Sequence, residues 1–165
     1  MDVWRFIEAS TVPVALLYVT ASEGSSPGRT GFKMAIRKTG EMQGSIGGGV
    51  MEQKLVETAR SLLASDLGSP LLQRQIHRPG NGKDHSGLIC SGEQTVAIVQ
   101  IAPGELDELI DSSSYFTLSE TGLSFSSTKP EGEFWEVEKI GKTSTVYIIG
   151  GGHVGLALSK SLSLV

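Results

Sequence analysis

Apolar residues recur along this chain with two periods, separated by glycine-rich breaks. Val14-Ala15-Leu16-Leu17-Tyr18-Val19-Thr20-Ala21 is a continuous apolar run of strand length and predicts a buried strand. Residues 32–37 alternate apolar and polar, as a half-buried strand does. Lys38-Thr39-Gly40-Glu41 then predicts a hairpin turn, with residues 42–46 as the returning strand. From Val50 the period changes. Met51, Leu55, Ala59 and Leu62 recur at helical spacing, Val56 and Leu63 widen the stripe, and a helix is expected over 50–64. Trp4 and Ile7 predict a short helix over 4–10. Further strands are expected at 73–77, 94–101, 115–118, 123–126 and 134–140, with a short acidic helix at 105–110.

These elements predict an α+β domain, a mixed sheet with packed helices, over residues 1–143. Its core is the strands of 14–46 with the helix 50–64 laid on them. Gly141-Lys142-Thr143-Ser144 is the expected boundary. Residues 144–165 then read as the start of a Rossmann-like domain: a short strand at 145–149, a glycine turn and a helix at 154–164. This is the first β-α unit of an incomplete Rossmann domain, which needs several more such units to bury a sheet.

Composition narrows the function. The formal net charge of −4 and the lack of any Lys/Arg run argue against a nucleic-acid partner. No apolar run approaches the ~20 residues that span a bilayer, so no membrane partner is expected. The N-terminus lacks the pattern of a signal peptide, and one cysteine, Cys90, excludes an intrachain disulfide. Both features point to a cytoplasmic protein. Glycine, at 21 of 165 residues, is in excess and needs a backbone reason.

Candidate chemistry lies in the glycine-rich breaks. Gln43-Gly44-Ser45-Ile46-Gly47-Gly48-Gly49 ends a strand and opens a helix, where bare N–H groups and the helix dipole suit an anion. The loop Ser22 to Gly31 is either a plain surface connection or an oxyanion-binding loop, with Ser25, Ser26 and Arg29 as donors. If the first strand lies beside the hairpin, this loop and Gly47, Gly48 and Gly49 leave one edge of the sheet together. Glu52, in the first helical turn, either complements the dipole or accepts from a bound cofactor. Cys90 is either a small buried apolar residue or a group with a metal or sulfur role. His77 and His85 do not stand at zinc-ligand spacing with it. Gly150, Gly152 and Gly155, with His153 between them, fit G-x-G-x-x-G in a strand–turn–helix context. They raise the alternative of an NAD(P)-dependent oxidoreductase or nucleotide-binding fragment, with NAD(P) bound only if the rest of that domain is supplied.

Three motifs carry a resemblance. Glu23-Gly24-Ser25-Ser26-Pro27 with Gly44-Ser45-Ile46-Gly47-Gly48-Gly49 and Glu52, then Gly87-Leu88-Ile89-Cys90-Ser91-Gly92, then Ile148-Ile149-Gly150-Gly151-Gly152-His153-Val154-Gly155 stand in the order of the xanthine dehydrogenase accessory factor (XdhC/CoxI) family, which this chain resembles. Ser91 stands where the family motif has the first of two glycines after its cysteine. The resemblance implies a non-catalytic accessory chaperone that binds the molybdenum cofactor (molybdopterin) as cargo. It implies support for sulfuration of that cofactor by a cysteine desulfurase and its insertion into a molybdenum hydroxylase such as xanthine dehydrogenase. The residues are compatible with such a cargo: the backbone N–H groups of Gly47, Gly48 and Gly49, with Ser25, Ser26 and Arg29, could hold the phosphate, Glu52 could accept from the pterin, and Cys90 could approach the molybdenum or its sulfur. A homodimer is left open.

Overall fold

The computed structural model describes residues 2–65, 69–77, 86, 90–106, 114–140, 147–150 and 152–162. Its elements run α1 (Val3–Glu8), β1 (Val14–Glu23), β2 (Lys33–Arg37), β3 (Met42–Gly44), α2 (Gly49–Ala64), β4 (Leu71–Ile76), β5 (Glu93–Ile101), β6 (Ser114–Ser119), β7 (Gly122–Ser126), β8 (Glu136–Ile140) and α3 (His153–Leu162). The α+β class expected from the pattern holds. The strands form a five-stranded sheet, order β3-β2-β1-β5-β4, and a three-stranded sheet, order β7-β6-β8. Every pairing among the described residues is antiparallel, so the single mixed sheet of the sequence reading becomes two antiparallel ones.

The strand β1 is central and apolar on both faces because both faces are covered. Val14, Leu16 and Tyr18 point into one core, with α1, Val99 and Ile101 of β5, and Phe116 and Leu118 of β6. Ala15, Leu17 and Val19 point into the other, with Met51, Leu55, Ala59 and Leu62 of α2. The molecule therefore has α2 on one side of the larger sheet, and α1 with the smaller sheet on the other. Burying a side chain such as Leu16 or Leu55 contributes about 1.5–3 kcal/mol, and these two layers supply most of the stabilisation. The smaller sheet is also tied down by polar groups. Glu138 on β8 accepts from the Tyr18 hydroxyl and from Lys33 Nζ, both at 2.7 Å. Burial, with the Glu138 hydrogen bond, pushes the Tyr18 phenol well above its ordinary range. Helix α1 is anchored by Arg37, which donates to Phe6 O at 2.9 Å and stacks on the Phe6 ring.

Element ends differ in informative ways. The strand β1 runs to Glu23, past the expected Ala21, because β5 continues to pair with it beyond an irregularity between Val19 and Ala21. The strand β3 stops at Gly44, short of the expected residue 46. Gly44 has φ 88°, and a Cβ there would lie 2.3 Å from Lys33 O, so the chain turns away against the β2 backbone. The expected helix 105–110 falls mostly outside the described residues, with 103–106 forming a turn. The expected strand 145–149 is not formed over 147–149, and Tyr147 and Ile149 are exposed. A strand needs a partner ladder, and no described strand pairs with this segment. The helix α3 does form, with none of its side chains buried.

Candidate functional site

Three loops meet at one end of the five-stranded sheet. One follows β1, one joins β3 to α2, and one leads into β5. Their backbones touch so closely that only glycine fits at three points. A Cβ on Gly28 would lie 2.2 Å from Ile46 O. One on Gly47 would lie 2.7 Å from Gly28 N, and one on Gly92 2.5 Å from Ser26 N. The expectation that the 25–29 loop and the 47–49 turn share one edge therefore holds, and the segment after Cys90 joins them.

A side chain that carried no signal in the motif reading holds the three together. Gln94, at the start of β5, is buried. Its Oε1 accepts from Ser26 Oγ at 2.8 Å and from the Gly28 N–H at 3.1 Å. Its Nε2 donates to Ile46 O at 3.1 Å and to Met51 Sδ on α2 at 3.2 Å. One amide thus satisfies buried backbone groups of two loops, which would otherwise be costly to enclose. Ser26 is itself buried, and its single hydroxyl proton is committed to Gln94. Ser25 and Arg29 are exposed, with the Arg29 guanidinium donating to Gly24 O at 3.2 Å.

The glycine turn is not the open set of donors expected from the sequence. Glu52 Oε2 accepts from Ser45 Oγ at 2.7 Å and from the Ile46 and Gly48 N–H groups at 3.0 Å each. The Gly47 N–H donates to Ser45 Oγ at 3.2 Å. The turn carries its own anion, because a first-turn carboxylate can fold back onto N–H groups that the helix leaves unpaired. Gly47, Gly48 and Gly49 all have positive φ, at 129°, 78° and 71°, which is what lets the chain close around Glu52. The expectation that Gly47 and Gly48 present bare N–H groups is corrected accordingly. Gly48, at the N-terminal end of α2, has no side chain to cap the helix, and Glu52 accepts from its N–H instead. Beside it runs a groove of about 270 Å³, lined by Met34, Met42, Gly49, Glu52, Val56 and Arg60 among others.

Cys90 is half-buried at the third loop. Directly after it, Ser91 and Gly92 both face His77. The Ser91 N–H donates to His77 O, and the His77 N–H donates to Gly92 O, each at 2.8 Å. This is a β-bulge whose first residue, Ser91, sits at φ 64°. Among the described residues it is the only non-glycine with positive φ. His77 is fully buried, with Nδ1 2.7 Å from Ser86 Oγ, and burial pushes its imidazole below the ordinary value. Among the described residues no group of three or more His, Cys, Asp or Glu could hold a metal ion, and no helix is long and apolar enough to cross a membrane.

The second glycine motif stays apart. Gly150, Gly152, His153 and Gly155 form a turn into α3, closed by Leu156 N–H to Gly152 O at 3.1 Å. A Cβ on Gly150 or Gly152 would meet nothing within 4 Å. Among the described residues no hydrogen bond joins these positions to the three loops.

Comparison with known proteins bears on the first site. Residues 8–74, which hold β1, two of the three loops and α2, match the XdhC and CoxI family. The match covers less than half of this chain. Cys90, Ser91 and Gln94 lie beyond the matched stretch. An Escherichia coli (strain K12) relative, the uncharacterized protein YqeB, is 36% identical over 93 residues, which are 56% of this chain and 16% of that protein. A solved structure of a xanthine dehydrogenase from Bacillus halodurans superposes with a TM-score of 0.56 at 20% identity, over 85% of this chain and 42% of that one. That likeness is one of fold. The chain spans less than half of either protein's length.

Proposed function

We propose that this XdhC/CoxI-type chain is an accessory protein for a molybdenum hydroxylase of the xanthine dehydrogenase type, and that its three-loop cluster binds the molybdenum cofactor as cargo. The observation that carries this reading is the backbone contact between the loops before Arg29, after Ile46 and after Cys90, held by Gln94. It puts an exposed arginine, the exposed Gly49 at the start of α2 and a half-buried thiol on loops that share one end of one sheet.

The donor chemistry suits such a cargo. Arg29 and Ser25 would hold its phosphate, a guanidinium fork being matched to phosphate oxygens. The Gly49 N–H at the start of α2 would add a backbone donor. Cys90 would approach the metal or its sulfur, as a thiolate does with soft partners. Ser26, Gly47, Gly48 and Glu52 would serve by keeping the loops in place. Delivery of sulfur by a cysteine desulfurase and a cytoplasmic setting belong to the same proposal.

The test is retention of cargo. The chain is expressed in a host that makes the cofactor and purified without oxygen, and bound pterin and molybdenum are quantified. Wild type should retain both, and Cys90→Ala and Arg29→Ala should each lose most of the pterin while keeping the wild-type melting temperature. Equal retention in both variants would remove this site.

A further inference from the structure

We propose that a recess on the smaller sheet docks a basic segment of a partner protein, with arginine side chains seated between aromatic rings and carboxylates. The recess has a volume of about 820 Å³. The β6–β7 turn forms one wall, with Ser119, Glu120 and Thr121. The approach to β8 forms the other, with Glu133, Phe134 and Trp135. It shares none of its lining with the three-loop cluster.

Both walls are fixed before any partner arrives. The Trp135 N–H donates to Leu118 O at 2.7 Å, and its ring packs on the core beneath. The turn is closed by Ser119 Oγ, which lies 2.8 Å from Thr121 Oγ1 and donates to Gly122 O at 3.3 Å. Docking therefore orders little that is not already ordered.

The chemistry of the lining is one-sided. Among the described residues no lysine or arginine lines the recess. Glu120 and Glu133 are exposed, and among the described residues neither is paired with a cation. Glu8, Glu41, Glu93 and Glu138, by contrast, each have such a partner. Carboxylates beside two aromatic side chains are the complement of a guanidinium, which stacks on a ring and forks onto a carboxylate. The net charge of −4 favours the same sign of partner at longer range. A wide surface recess between a turn and a strand approach suits successive side chains of an extended segment better than one small cation.

Calorimetry on the full chain tests this. The probes are a short peptide alternating arginine and alanine, its citrulline counterpart, and free guanidinium ion. The arginine peptide should bind and weaken with added salt, and the citrulline peptide should not bind. Glu120→Gln combined with Glu133→Gln, both on the surface, should weaken the peptide about tenfold or more. Asp2→Asn combined with Glu57→Gln removes the same charge elsewhere and should leave binding intact. The proposal falls if the peptide does not bind at millimolar concentration, or if the recess variant binds as well as wild type. It falls equally if the remote variant loses as much, which would mean general charge attraction. Guanidinium ion binding as tightly as the peptide would make this a small-cation site and overturn the proposal too.

Discussion

Replacing Gln94 with leucine isolates the contribution of one amide to the loop cluster. The two side chains are close in volume, so no large cavity opens and the cost comes from hydrogen bonding. The Ser26 hydroxyl, the Gly28 N–H and the Ile46 carbonyl all lose a partner in buried surroundings. Each buried group left unpaired costs about 1–3 kcal/mol. The Ser26 hydroxyl can rotate and the loops can yield a little, so a loss of about 3–5 kcal/mol is expected rather than the full sum. That is a large share of the roughly 5–15 kcal/mol that holds an ordinary domain folded. Urea denaturation followed by circular dichroism measures the loss, and limited proteolysis reports whether the loop after β1 has come away. Ser26→Ala alone should cost about 1 kcal/mol. Combined with Gln94→Leu it should add less than that, since the partner is already gone. A loss under about 1 kcal/mol for Gln94→Leu, with unchanged proteolysis, would refute the claim that this amide binds the loops together.

Three further outcomes follow from the same region and its rival motif. Ser91→Gly should raise the melting temperature, because the left-handed backbone costs a serine about 1–2 kcal/mol while the added freedom of glycine returns only about 0.5–1 kcal/mol of that; an unchanged or lower value would contradict the φ of 64°. Gly28→Ala should destabilise by about 1–3 kcal/mol, since its Cβ meets Ile46 O at 2.2 Å, whereas Gly152→Ala should stay within about 0.5 kcal/mol, with open space around it; calorimetric melting distinguishes the two. The buried His77 has its folded-state pKa lowered below the ordinary 6.5, so its contribution is fully present above pH ~6.5 and fades as pH falls toward the folded-state value, because the unfolded chain takes up a proton that the buried imidazole refuses. Urea midpoints on either side of that pH should converge in His77→Gln, and a wild-type slope retained in this variant would assign it to other groups.

What could be read from the chain depended on whether a signal was local. The two faces of β1 and the stripe of α2 are periodic, and both elements appear where the pattern put them. The meeting of the first two loops followed from a hairpin, whose geometry is also local. Gln94 was missed because its role spans the chain from Ser26 to Met51. One signal could have found it: it shares a strand face with Val96 and Ile98, both in the core under α2, and a lone amide on such a face needs buried partners. Glu52 was left open between dipole complement and ligand acceptor, because sequence does not say which way a first-turn carboxylate folds. The strand at 145–149 was read from its apolar residues alone, and apolar residues do not make a strand without a neighbour to pair with.

The order of strands in the larger sheet has a consequence for where this protein can be cut. The family match ends at residue 74, within β4, yet β4 reaches β1 only through β5. A fragment stopping there would keep β1, β2, β3 and α2 and lose the strand that covers the other edge of β1. Ten residues of backbone, from Val14 to Glu23, would then be open to pair with any second chain. The stretch that the family match covers is thus shorter than the sheet it belongs to, and a piece that keeps β1 paired on both edges has to run at least through Ile101.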